Sequence, residues 1–282
     1  KFGLPVRRRD LHDWKHFVRG AESKAGSLRV GIVGKYFASG AFTLSDSYLS
    51  VIEAVKHAAW SLRRPVEISW LNAEDYDGRP KKLRELDNFQ ALIVPGGFGP
   101  RGVAGKIDVI KYARTHRLPF LGLCYGMQLM AVEFARHVLR WRDANTTEVD
   151  PRTPKPVIDL MPEQERLVRE RHLGGSMRLG SYPCRLRSHT KTALAYGRRQ
   201  VDERHRHRYE FQNRFRSVFE RAGMVVAGLE PKRQLVEILE LRDHPWFIGT
   251  QFHPEFLSRP LRPHPLFVGL LRAGLKTQKR ST

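Results

Sequence analysis

The feature that most constrains this chain is an alternation of two patterns. Short, continuously apolar runs are separated by stretches in which apolar residues return every three or four positions. LRVGIVGKY at 28 to 36, ALIVPGG at 91 to 97, which ends in a glycine turn, and LPFLGLC at 118 to 124 belong to the first kind. Apolar runs of that length, bounded by turn residues, read as strands buried on both faces. Between and after them, Tyr48, Val51, Ile52, Val55, Ala59 and Leu62 repeat with helical spacing, and Met127, Met130, Phe134 and Val138 make another stripe. Residues 104 to 115 read as a further helix, and the alternation of Val66, Ile68 and Trp70 as a further strand. Parallel neighbours need long crossover connections, and helices in those connections cover both faces of the sheet. The expected fold is therefore α/β, a mostly parallel central sheet flanked by helices on both faces, with sites beyond the carboxyl ends of its strands.

After residue 150 the segments PVIDLMP, MRLGSYPCRL, HRHRYEF, MVVAGLE, LVEILEL and PWFIGTQFH read mostly as additional strands that extend or flank this sheet. Residues 211 to 222 and 265 to 274 read as helices. The opening segment reads as a connector with a short helix that Asp10 caps and Gly20 ends. The expected organisation is a connector over residues 1 to 26, one domain over 27 to 276, and a flexible tail over 277 to 282. Lys1 in place of an initiating Met leads to the expectation that the chain is a piece of something longer.

Of the 282 residues, 41% are apolar and 28% charged, enough to build a core. No apolar run approaches the roughly 18 residues that cross a bilayer, so the expectation is a cytoplasmic protein with no membrane partner. Two cysteines, Cys124 and Cys184, are too few for a disulfide framework or a cysteine zinc site. A formal charge of +21 raises nucleic-acid binding, but the Lys and Arg residues are scattered and no reading module is recognisable. No motif therefore points to a nucleic-acid partner. A solvated basic surface, or anionic nucleotides bound by neighbouring parts of a larger enzyme, remain as explanations.

The sharpest local motif is GLCYGMQ at 122 to 128, where a buried strand runs into a helix. Gly122 and Gly126 flank Cys124 at two residues on either side, which a tight strand-to-helix turn requires. The helix's positive end favours a thiolate there, and the expected thiol pKa is below the ordinary value near 8.5. A thiolate that expels an amine needs a proton donor and then a base for water. His253, ending PWFIGTQF, is the best candidate of the 12 histidines. In an extended chain Glu255 projects to the same side as His253 and can orient its ring. VPGGFGPRG at 94 to 102 follows another buried strand, and an N–H of this turn, with that of Tyr125, can face an oxyanion.

With its PGG loop, G-x-C-x-G elbow and later H-x-E, the chain resembles the class I glutamine amidotransferases. The segments VGKY, SDSYLSVIEAVKH, PGGFGPRG, DANTTE, GGSMRLG, ERHRHRYE and QFHPEFLSRP narrow the resemblance to the glutaminase domain of CTP synthases. The resemblance implies a flavodoxin-like fold and a catalytic set of Cys124, His253 and Glu255. It also implies glutamine binding by Gly97, Tyr125, Gly126, Met127, Gln128, Glu148 and Arg208. Tyr125 and Val149 stand where CTP synthases often carry Leu and Phe.

The implied reaction is hydrolysis of L-glutamine to glutamate and ammonia through a cysteinyl thioester. No cofactor or metal is implied in this domain. The ammonia would serve a synthetase domain absent from the chain, which uses ATP and magnesium to convert UTP to CTP, is activated by GTP and assembles as a homotetramer. Two other readings stay open: the glutaminase of another pathway such as GMP synthetase, and a non-catalytic basic module that binds nucleic acid. RHRHR also reads either as a solvated basic strand or, through His205 and His207, as half a metal site.

Overall fold

A computed structural model describes residues 10–35, 48–160 and 177–278. The start of the expected connector and the end of the expected tail lie outside those residues. The apolar runs form parallel strands as their pattern requires. β1 (Leu28–Gly34) lies between β2 (Val66–Asn72) and β3 (Ala91–Val94), and β3 pairs in parallel with β4 (Phe120–Leu123). The crossovers carry α2 (Leu49–Ser61), the one-turn α3 (Pro80–Leu83) and α4 (Val103–Thr115), and β4 runs into α5 (Tyr125–His137).

The remaining strands are β5 (Ala144–Thr146), β6 (Lys155–Leu160), β7 (Arg178–Leu186), β8 (Gln200–His207), β9 (Tyr209–Phe211), β10 (Met224–Leu229), β11 (Val236–Leu241) and β12 (Phe247–Thr250). Among the described residues the main sheet has the order β2-β1-β3-β4-β12-β11-β10-β7-β8. The last described strand, β12, thus inserts in parallel beside β4, and the strands beyond it in the sheet pair antiparallel. The C-terminal strands do both things the sequence suggests. β7, β8, β10 and β11 extend the sheet, while β5, β6 and β9 form a small second one. Three later helices, α6 (Lys191–Tyr196), α7 (Arg216–Arg221) and α8 (Pro265–Gln278), complete the set described.

The main sheet divides the core in two. Successive residues of β3 face opposite ways, Leu92 and Val94 into the layer holding α4 and α5, Ala91 and Ile93 into the layer holding α2 and α8. Strands with no polar face can survive only in such a sandwich.

Two expectations at the N-terminus need correction. In α1 (His12–Ala21) the N-cap is Leu11, and Asp10 instead accepts a hydrogen bond from the His12 N–H at 3.0 Å. Gly20 does not end the helix. It sits inside the last turn, where any side chain would overlap the Trp60 carbonyl of α2. The contact is fixed further by Phe17, whose ring meets that of Trp60 edge-on at 5.3 Å. Residues 211 to 222 are also less regular than expected, a 3₁₀ turn at Asn213–Phe215 preceding α7.

A Cβ on Gly105 of α4 would overlap the carbonyl oxygen of Ala73. Helix propensity alone would make Gly105→Ala stabilising by about 1 kcal/mol. Overlap with fixed backbone outweighs that preference, so the variant is expected to lose about 1–2 kcal/mol net. A urea midpoint below that of the parent chain is the expected result.

Candidate active site

The carboxyl ends of three adjacent parallel strands, β3, β4 and β12, meet at one cleft. β3 ends in the turn Pro95 to Gly99, β4 delivers Cys124, and β12 leads through Gln251 and Phe252 to His253. Strand order therefore explains why residues far apart in sequence share a site.

Cys124 has φ 49° and ψ −98°, a conformation side-chain-bearing residues rarely adopt, and it is the N-cap of α5. The turn survives because its neighbours are glycines. A Cβ on Gly126 would overlap the Val94 carbonyl, and one on Gly122 would lie 2.7 Å from the Gly126 carbonyl carbon. The Cys124 N–H donates to Thr250 O at 2.6 Å, which ties the elbow to β12. Its Sγ lies 3.9 Å from Arg206 O and receives Gln251 Nε2 at 3.7 Å.

His253 is held at its backbone, at one ring face and at Nδ1. Its N–H donates to Arg204 O at 2.8 Å, its ring lies nearly flat on Phe256 with centroids 5.1 Å apart, and Nδ1 is 2.7 Å from Glu255 Oε1. A methyl group on Gly96 would come within 2.8 Å of its Cε1. Burial by itself would pull the imidazole pKa down, but the Glu255 carboxylate and the Cys124 sulfur together raise it well above the usual 6.5. With Nδ1 committed to Glu255, Nε2 is the nitrogen left for the sulfur. The pairing of His253 with Glu255 does not come from an extended strand, as the sequence suggested. β12 ends at Thr250, and His253 caps a 3₁₀ turn, Pro254–Leu257, that folds Glu255 back onto the ring.

A cavity of about 760 Å³ opens over this group. Gly97, Gln128, Glu148 and Arg208 of the expected binding set line it, together with Cys124, His253 and Glu255. Glu148 accepts the Gly99 N–H at 2.8 Å, and burial raises its pKa despite that bond and the nearby Lys35 and Arg208. Gln128 is turned inward, donating to Tyr209 O at 3.0 Å. Tyr125, Gly126 and Met127 are placed differently. All three are buried in the first turn of α5, the Tyr125 hydroxyl donating to Gly99 O at 2.7 Å. The Tyr125 and Met127 side chains pack inward and Gly126 has none, so only the backbone of this turn is available to a ligand.

Tyr48 and Ser50 at the start of α2, with Phe256, also line the cavity and were not singled out from sequence. Gln251 beside the sulfur and Phe256 under the imidazole lie in the same QFHPEF segment as His253, which is the signal that could have found them.

The RHRHR segment is neither a plainly solvated strand nor an open histidine pair. Arg204 and Arg206 face solvent, while His205 and His207 are buried with Arg178, Glu210 and Glu237. Arg178 Nη1 is 2.6 Å from Glu237 and 3.3 Å from Glu210, and His207 Nε2 is 2.7 Å from Glu210. Burial, with Arg178 adjacent, depresses the His205 pKa far below its usual value, so His205 is neutral. Burial and Glu210 push the Glu237 carboxyl up to about 8 against the pull of Arg178. This group seats β8, whose Arg204 and Arg206 carbonyls touch His253 and Cys124.

A buried cysteine at a strand-to-helix elbow, facing an imidazole carried by a carboxylate, has the parts of a thiol hydrolase for carbonyl compounds. The model for glutamine amidotransferase class I matches residues 43–273, and the chain belongs to that family. The solved structure titled as the Trypanosoma brucei CTPS glutaminase domain with bound acivicin superposes with a TM-score of 0.81 and 30% identity, covering 88% of this chain and 94% of that one. A CTP synthase of Chloroflexus aggregans is 50% identical over 277 residues, 98% of this chain and 49% of the relative. Within the family the chain is a glutaminase domain of the CTP synthase kind, and it spans about half the length of the curated relatives it matches. A putative GMP synthase protein from Thermoplasma acidophilum shares 15% identity at a TM-score of 0.56, covering 90% of this chain and 97% of that one, a likeness of fold.

Because Glu255 and the sulfur hold His253 protonated, the imidazolium persists to higher pH than in a free histidine. Glu255→Gln removes one of the two groups that hold the charge, so the His253 pKa falls and less imidazolium stands beside the sulfur. Iodoacetamide alkylation of Cys124 at pH 7, followed by peptide mass spectrometry, is expected to slow by about tenfold in that variant. Cys184, fully buried and with its thiol pKa raised by burial, is expected to stay unlabelled in both proteins.

Proposed function

We propose that this chain hydrolyses L-glutamine through a γ-glutamyl thioester on Cys124. The observation that carries the proposal is the Glu255–His253 bond of 2.7 Å on an imidazole whose pKa is raised also by the Cys124 sulfur. The thiolate attacks the carboxamide carbon, and the Gly97 and Tyr125 N–H groups face the oxyanion. The His253 imidazolium passes its proton to the departing nitrogen, and the carbon–nitrogen bond breaks to release ammonia. The imidazole, now neutral, takes a proton from water as the water attacks the thioester, and glutamate leaves with the thiolate restored. Glu255 keeps the ring in the productive orientation throughout.

The cavity's polar groups suit an amino acid. Arg208 pairs with the α-carboxylate, and Glu148 accepts from the α-ammonium. Glu148 also holds the Gly99 N–H, so the residue that reads the ammonium braces the glycine turn. In the wider reaction the ammonia passes to a cytoplasmic synthetase half that uses ATP and magnesium to aminate UTP, with GTP as activator and a homotetramer as the assembly. The 50% identity to a bacterial CTP synthase favours this pathway over GMP synthesis.

Ammonia release from glutamine, measured on the 282-residue chain with and without the synthetase half of a relative, tests the proposal. Cys124→Ala is expected to lose at least about 10³-fold in rate. Arg208→Ala is expected to raise KM by about 10- to 100-fold, with a smaller change in kcat. Full activity in Cys124→Ala would overturn the mechanism.

A further inference from the structure

Lys106 is an anomaly in the core. It sits in the first turn of α4 with no exposed surface, and among the described residues its Nζ has no hydrogen-bond partner. A buried amine without a hydrogen-bond partner is costly and persists only where something compensates. Its surroundings are the underside of the glycine turn. Nζ lies 5.2 Å from the centroid of the Tyr125 ring, and a methyl group on Gly97 would lie 3.8 Å from it. Gly96, one residue earlier, presents its open side to His253 on the opposite face of the turn. The peptide between Gly96 and Gly97 therefore lies between a buried amine and the reacting imidazole.

Across one peptide unit the C=O and N–H point in opposite directions. If the Gly96 carbonyl turns down to Lys106 Nζ, the Gly97 N–H must turn up toward the cavity, where the oxyanion forms. Two consecutive glycines give the backbone freedom for such a rotation.

We propose that Lys106 is a positioning residue that takes the Gly96 carbonyl as its hydrogen-bond partner when the tetrahedral intermediate forms, and thereby aims the Gly97 N–H at the oxyanion. This rests on the glutaminase reading and deepens it. Burial, with Lys35 as a like-charged neighbour, brings the Lys106 pKa down to about 7, which is compatible with a role as donor rather than as a fixed charge. Lys106 never touches the substrate. The bond that forms is from Nζ to a backbone oxygen, and no covalent step passes through it.

The test separates oxyanion support from thiol reactivity. Glutamine hydrolysis passes through an oxyanion, whereas iodoacetamide alkylation of Cys124 is a direct displacement with none. Lys106→Met keeps the volume and removes the donor. It is expected to lower kcat for glutamine about 10- to 100-fold, with KM within about twofold and the alkylation rate unchanged. Lys106→Gln, which restores a neutral donor, is expected to recover most of the loss. Equal turnover in wild type and Lys106→Met would overturn the proposal while leaving the glutaminase reading standing. A parallel fall in turnover and alkylation, or no recovery in Lys106→Gln, would also overturn it by assigning Lys106 a packing role. Absence of glutamine turnover in the wild-type chain, alone and with a synthetase half, would instead remove the reading on which it rests.

Discussion

The arrangement depends on a near-contact between two backbones, where Gly126 in the first turn of α5 lies against the carbonyl of Val94 at the end of β3. No side chain fits between them. That closeness allows β4 to pass directly into α5, forces Cys124 into a strained conformation, and sets the sulfur above the sheet instead of inside it. The same contact brings the end of β3, and so the glycine turn that follows, against the elbow. The sulfur and the glycine turn are consequently brought together by one packing constraint.

The imidazole comes from a different source. β12 is the last described strand, yet it inserts beside β4, so the residue leaving its carboxyl end arrives over the thiol. Its hold is polar where that of the elbow is steric. Arg204 O takes its N–H, Glu255 takes its ring, and Phe256 supports one face. Behind β8, Arg178, Glu210, Glu237, His205 and His207 form a buried polar group that seats the strand whose carbonyls touch Cys124 and His253. Removing Arg178 would leave two buried carboxyl groups without their shared cation, a cost that holds the edge strand in place.

Much of this was legible in the sequence where the physics is local. Doubly buried strands have no polar face, so β1, β3 and β4 announced themselves, and the two flanking glycines marked the elbow. Less legible were features that depend on distant partners. HPE was expected to pair its histidine and glutamate by strand alternation, but Pro254 starts a 3₁₀ turn and brings them together by curvature. The histidines of RHRHR could not be told from surface residues, because their carboxylate partners lie on β9 and β11. Lys106 did carry a signal, falling between Val103 and Ile107 on the buried side of α4, where a charged residue contradicts the stripe.

The account turns on whether the Cys124 sulfur and the His253 ring act as one coupled pair. Titration of the His253 imidazole by NMR, in the wild-type chain and in Cys124→Ala, measures this directly. The prediction is a His253 pKa well above 6.5 in the wild type that falls when the sulfur is removed. An identical titration curve in the two proteins would contradict the pairing and, with it, the mechanism.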